Sequence, residues 1–197
     1  MSETVIKRRK SLRTLTESAL MIALSTALSF VVLWRMPLGG SVTPASMLPV
    51  MLVGIKYGKL RGLMAGLIFS LIQMMQSAAA NLEWVETAPL VVAVILFDYL
   101  VPYTVIGLAG IFRGFRPKKC ERLGCYLGIS AVVFCRFLCH FFTGVLVWGQ
   151  WAEGMHPILY SFLYNGGYLL PELLLTLLVA AYLLEVPVMQ KALDIPR

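Results

Sequence analysis

Charge is what this sequence has least of. Asp and Glu together number 10, Lys and Arg 17 and His only 2, so that 14% of the 197 residues are charged while 59% are hydrophobic, with a mean hydropathy of +0.80. A soluble domain carries about a quarter of its residues charged. A chain with so few cannot wet its own surface, and its solvent is lipid. The signatures of several chemistries are missing as well. No GxxxxGK[ST], HExxH or GxSxG occurs, which gives no basis for nucleotide hydrolysis, zinc proteolysis or serine hydrolysis. The chain is therefore expected not to be an enzyme and to hold no cofactor or metal of its own. Cys120, Cys125, Cys135 and Cys139 form no CxxC pair, and two lie within an apolar run. They read as packing residues rather than a metal site or a disulfide framework. No internal repeat, low-complexity tract or soluble segment is visible, and residues 1–197 are expected to form a single membrane domain.

What the sequence does have is six apolar stretches, at about 14–34, 47–57, 62–80, 88–112, 123–148 and 158–185. The second is too short to cross lipid unaided and is expected to be a short or tilted helix buried against its neighbours. The net charge of +7 would suggest nucleic acid in a soluble chain, so the placement of the basic residues decides its meaning. Lys7, Arg8, Arg9, Lys10 and Arg13 precede the first stretch, and Lys56, Lys59 and Arg61 follow the second. Arg113, Arg116, Lys118, Lys119 and Arg122 follow the fourth, with Lys191 and Arg197 at the end. Fifteen of 17 thus fall on alternate connections, whereas the others carry Arg35, then Glu83 and Glu86, then Glu153. That is the asymmetry of positive loops kept in the cytoplasm, and it needs no nucleic acid. The reading is an all-α integral membrane protein of six transmembrane helices, with a basic N-terminus (1–13) and both termini cytoplasmic. The first stretch exceeds a secretory h-region of about 7 to 15 residues, and Arg35-Met36-Pro37 is no cleavage site, so it is read as a helix. The inner basic residues also suit anionic headgroups of the bilayer.

Within the spans the costly residues are Asp98, Arg136, His140, Asn165 and Glu172, with Gln73 and Gln76. An ionisable group at mid-membrane costs about 2.5 to 3.5 kcal/mol even on the lower scales, so each is expected to face the bundle interior, water or a partner. The run RFLCHFFTGVLVW places Arg136, His140, Gly144 and Trp148 four residues apart, on one helical stripe. Tracing each helix from its end puts Trp34, Asp98, Tyr99, His140 to Trp148, and Tyr160, Tyr164, Asn165 and Tyr168 in the outer half. Indole faces attract a desolvated cation, a carboxylate complements it, and phenols with an amide read hydrogen-bonding edges. Such a pocket suits a flat, heteroaromatic, cationic solute. Arg136 and Glu172 lie deeper, where an ion pair of Arg136 with Asp98 or Glu172 would tie helices together. Two other readings stay open on the residues: an intramembrane enzyme using His140 with Asp98 or Glu172, and a structural subunit in which the polar groups are helix glue. The loop RMPLGGSVTPAS combines Pro37, Gly39, Gly40 and Pro44 and is expected to hinge over the pocket. Ala19, Ala23 and Ala27 form a small-residue ridge that permits close helix approach.

Four ordered motifs, GGSVTPASMLPVMLVGIKYG (39–58), DYLVPYTVIGLAGIF (98–112), RFLCHFFTGVLVWGQW (136–151) and YSFLYNGGYLLPE (160–172), carry a resemblance over almost the whole chain. It resembles the thiamine-specific substrate-binding subunit, or S component, of energy-coupling-factor (ECF) vitamin transporters. The resemblance implies the S-component fold and a place in the cell membrane of a prokaryote. It implies that thiamine is held by Trp34, Asp98, Tyr99, His140, Gly144, Trp148, Tyr160 and Asn165. It further implies that Ala19, Ala23 and Ala27 meet a transmembrane coupling subunit, and that two cytoplasmic ATPase subunits drive release inward. The family pattern has Glu where this chain has Asp98. One methylene fewer shortens the reach by about 1.5 Å and bears on selectivity, so that S components for hydroxymethylpyrimidine or riboflavin are the neighbouring alternatives.

Overall fold

A computed structural model of the chain describes residues 3–38, 40–115 and 122–193. Arg116, Lys118, Lys119, Cys120 and Arg197, which figure in the charge and cysteine readings, lie outside the described residues, as does Gly39 of the loop. Among the described residues the architecture is helical, with one hairpin of two two-residue strands. Helix α1 (Glu3–Ser29) is followed by β1 (Trp34–Arg35) and β2 (Ser41–Val42), then by α2 (Leu48–Tyr57) and α3 (Lys59–Leu82). The fourth apolar stretch is a composite of α4 (Ala88–Val94), a π-helical segment (Ile95–Leu100), α5 (Val101–Val105) and a 3-10 turn (Ile106–Leu108). Helix α6 (Leu123–Leu146) ends in a 3-10 turn (Trp148–Trp151), and α7 (Pro157–Glu185) is followed by the short α8 (Pro187–Ala192).

Among the described residues four helical segments are long and apolar enough to cross a membrane: Lys59–Leu82, Ala88–Leu108, Leu123–Leu146 and Pro157–Glu185. Their outward faces are apolar, as in the exposed row Leu170, Leu174, Leu178 and Tyr182 on α7, which is the surface lipid requires. The two other expected spans depart from that standard for different reasons. Helix α1 starts well before the apolar stretch, and Thr14, Thr16, Glu17 and Ser18 dilute its hydropathy. It also stops at Ser29, so that Trp34, expected at its end, belongs to the hairpin instead. Helix α2 has only ten residues, and eight in succession, Leu48 to Ile55, are buried. Its lack of any polar face is that of a helix enclosed on all sides by protein.

Two glycine positions set this packing. Gly58, at φ 88°, makes the sharp reversal that returns α3 along α2, a backbone conformation that a side chain disfavours. Gly54, Gly62 and Gly107 face one another where α2, α3 and the 3-10 turn cross. A Cβ on Gly107 would meet the Gly62 carbonyl, and one on Gly54 or Gly62 would meet that of Gly107. Small residues here let backbones touch, which is how helices associate where lipid supplies no hydrophobic drive. At the charged end Glu17 binds Arg13, Lys56 and Tyr57, joining α1 to α2, and Arg113 Nη1 donates to the Ile55 carbonyl at 2.8 Å.

Candidate functional site

At the other end of the bundle, the last turns of α1 and α3, the π segment, the second half of α6 and the first half of α7 surround a cavity of about 460 Å³. That volume lies in the range of small-molecule sites. Pro102 explains the widened turn beside it. Proline has no N–H to offer the Asp98 carbonyl four residues back, and its ring crowds that position. The chain accommodates it by an i to i−5 pairing, Val101 N–H to the Leu96 carbonyl. Such single π turns recur at functional sites because they re-aim a side chain, and here the re-aimed side chain is Asp98.

The Asp98 carboxylate is gripped from α6 and the turn that follows it. Oδ2 accepts the Trp148 indole N–H at 3.0 Å, while Oδ1 accepts from the Thr143 hydroxyl and lies 3.1 Å from His140 Nδ1. The far nitrogen of His140, Nε2, accepts from Arg136 Nε at 3.2 Å. Arg136, only 8% exposed, also donates through Nη2 to the Tyr103 hydroxyl at 2.9 Å and through Nη1 to Met47 Sδ. Its guanidinium lies over the Tyr103 ring, 4.3 Å from the centroid.

Neither expected ion pair of Arg136 occurs among the described residues. Asp98 reaches it only through His140, and Glu172 has another task. Its Oε2 accepts the Thr43 backbone N–H at 2.6 Å and its Oε1 the Thr43 hydroxyl at 2.6 Å, tying the segment after β2 to α7. The lining thus holds two carboxylates, Asp98 and Glu172, and one guanidinium, Arg136.

Helix α7 supplies the opposite wall. Tyr160, Tyr164 and Tyr168 recur every fourth residue as a ladder, with ring centroids 5.8 and 6.1 Å apart. Asn165, in the cavity lining, directs its amide N–H groups to the His140 and Ser161 carbonyls at 3.1 and 3.0 Å. Gly144 is required by this contact, since a Cβ there would strike the Ser161 hydroxyl. Tyr99 packs into a small apolar cluster beside the cavity, its hydroxyl taking the Asn81 amide at 2.7 Å.

Seven of the eight residues singled out from the sequence line this one cavity: Asp98, Tyr99, His140, Gly144, Trp148, Tyr160 and Asn165. Trp34 does not. It stands 67% exposed on β1, whose partner strand packs on α7. Gly40, Ser41, Thr43 and Ser46 of the same loop do reach the cavity. Sequence reasoning missed Thr143, Tyr103 and Trp151. Thr143 and Tyr103 were legible in principle, Thr143 lying one turn after His140 and Tyr103 five residues after Asp98. The ridge of Ala19, Ala23 and Ala27 lies on the outside of the bundle, in an apolar groove completed by Phe30 just after α1 and Ile68 and Ile72 of α3.

Comparison with known proteins identifies the family. Residues 15–191 fit the model of the family described as thiamine transporter protein (Thia_YuaJ). The chain is 30% identical over 188 residues to the thiamine transporter ThiT of Bacillus subtilis, covering 90% of this chain and 93% of that protein. A solved structure of ThiT from Listeria monocytogenes superposes with a TM-score of 0.74 at 23% identity, over 95% of this chain and 100% of the other, and shows the same fold.

Proposed function

Since the chain belongs to the thiamine transporter protein family, and is thus a transport protein and not an enzyme, we propose that its cavity binds thiamine and that it is the S component of an ECF importer. The observation that carries this reading is the held carboxylate: Asp98, with Trp148 bonded to it, in the wall of the cavity. Thiamine brings the complement, one fixed positive charge on a flat thiazolium. A desolvated cation against an indole gains about 2 kcal/mol, and the nearby carboxylate adds to it. The aminopyrimidine offers amino donors and ring acceptors, which suit the Asn165 amide and the Tyr160 hydroxyl of the lining.

Six helices would then cross the cell membrane of a prokaryote with both termini cytoplasmic, as the alternating basic connections support. The cavity opens at the end carrying Glu83, Glu86 and Glu153, so thiamine is captured outside. With no nucleotide-binding loop of its own, the chain takes its energy from a coupling subunit and two ATPase subunits. The groove along Ala19, Ala23 and Ala27 suits a close-packed helix of the coupling subunit.

The test is tryptophan fluorescence of the purified protein in detergent, titrated with thiamine, riboflavin and hydroxymethylpyrimidine. Saturable quenching by thiamine alone, from Trp148 and Trp151 at the cavity, is expected. A response only to uncharged hydroxymethylpyrimidine would overturn the role given to the cation, and no response to any of the three would overturn the site.

A further inference from the structure

The outer mouth of the cavity carries a series of indoles that begins outside the site. Trp84, in the turn after α3, packs edge-on against Trp151, with ring centroids 6.4 Å apart and planes at 89°. Trp151 lies 5.6 Å from Trp148 at 37°, and Trp148 bonds Asp98 at 3.0 Å. Exposure falls inward along the series, from 62% at Trp84 to 40% at Trp151 and a half-buried Trp148. Trp151 and Trp148 line the cavity, while Trp84 stands beyond it, one turn past Asn81, whose carbonyl accepts the Trp84 backbone N–H at 3.3 Å. An edge-on pair commits the edge of one ring and leaves both faces of that ring open, and an indole face is where a cation is drawn. The connections at this end carry Glu83, Glu86 and Glu153 against Arg35, and all three carboxylate residues are exposed.

We propose that Trp84 and Trp151 form a vestibule, a peripheral encounter site where a flat heteroaromatic cation rests before it passes to Trp148 and Asp98. The identity of that cation rests on the thiamine reading. Interfacial tryptophans anchor a membrane protein one by one at headgroup level, whereas these two are packed on each other in a series that leads inward. A cation–π contact at an exposed site shifts occupancy by about two- to five-fold. Such a strength suits a station on a path, since a ligand held more firmly there would not move on. The acidic rim draws cations from solution and raises their concentration at the mouth. Two linked rings, as in thiamine, let a ligand touch the next indole before it leaves the last.

The vestibule has a kinetic signature. A group that meets the ligand only on its way in leaves the free and bound end states alone. Its loss slows association and release by the same factor, and Kd, their ratio, stays where it was. A residue that touches the bound ligand behaves otherwise, because its loss speeds release. Loss of a mere membrane anchor moves neither rate.

Stopped-flow tryptophan fluorescence of the intact protein in detergent gives the association rate, with Trp148 and Trp151 as reporters, and a chase of radiolabelled thiamine with unlabelled thiamine gives release. In Trp84→Leu both rates are expected to fall by about two- to five-fold, with Kd within about two-fold of wild type. Trp84→Gln, polar at the same exposed position, should do the same, so that the test does not hang on the folding of one variant. Trp84→Tyr should restore both rates. Wild-type rates in the Leu and Gln variants would make Trp84 an interfacial anchor and overturn the vestibule. A weaker Kd carried by faster release would put Trp84 on the bound ligand and overturn it as well, as would a Tyr variant as slow as Leu. If the wild-type protein does not bind thiamine, the thiamine reading fails and takes the vestibule with it, a result distinct from binding at unaltered rates.

Discussion

Asp98 accepts the indole N–H of Trp148 at 3.0 Å, a bond that joins a widened turn of the fourth apolar stretch to the 3-10 turn closing α6. The residue that supplies the negative charge and the one that supplies the ring are thereby one unit. Substitutions at either should disturb both.

Asp98→Asn keeps the shape and removes the charge. Losing one partner of a desolvated charge pair costs about 2 to 5 kcal/mol, so thiamine affinity should fall by about thirty-fold or more on the scale of about 1.4 kcal/mol per decade. Isothermal titration against thiamine and the uncharged hydroxymethylpyrimidine should show the loss confined to the cation. Equal losses for both would argue that Asp98 acts on the pocket's shape alone.

Trp148→Phe retains an aromatic face but has no N–H for Asp98 Oδ2. The expected loss is about ten-fold in thiamine affinity, a hydrogen bond to a charged group being worth about 1.5 to 3 kcal/mol less whatever water restores. Trp148→Ala, which removes ring and bond together, should lose considerably more. A Phe variant as weak as Ala would place the whole effect in the N–H.

Glu172→Ala leaves the Thr43 N–H without its acceptor at a buried site and the Thr43 hydroxyl with only Ser46 to bond. Stranding such donors costs about 1 to 3 kcal/mol, which in a chain of this size lowers the melting temperature by a few degrees. A spin label at Ser41 should gain mobility in the same variant. Thermal unfolding and label spectra unchanged from wild type would show that the loop is held by other contacts.

Ala23→Trp fills the groove between α1 and α3 without approaching the cavity. Thiamine binding by the isolated protein should stay within about two-fold, since effects at distant, independent sites add without coupling. Co-purification with the coupling subunit should be abolished. Intact assembly would assign the alanine ridge to packing against lipid or another surface.

The polar residues of the site were legible because lipid makes each of them expensive: Asp98, His140 and Asn165 could be picked out one by one and converge on a single cavity. Their partners were harder. Thr143 bonds Asp98 through a side chain cheap enough in a membrane helix to raise no alarm, and Arg136 looked like half of an ion pair although its neighbours are His140, Tyr103 and Met47. Trp34 was placed by counting along an unbroken helix, and the helix ends at Ser29. The four residues between are a matter of how the loop folds back onto α7, a long-range contact that no local pattern encodes. The short α2 was recognised by its length, and its burial follows from having no polar face to expose.

The π turn at Ile95–Leu100 also bears on how such a protein changes over generations. A wide turn is an ordinary helix holding one residue too many. Loss of a single codon there would let the helix close, turning everything on one side of the gap by about 100° relative to the other. Asp98 would be carried off the wall it shares with Trp148, and a different side chain would be delivered in its place. The wall that Asp98 occupies in this scaffold is thus open to revision by insertion and deletion at one turn.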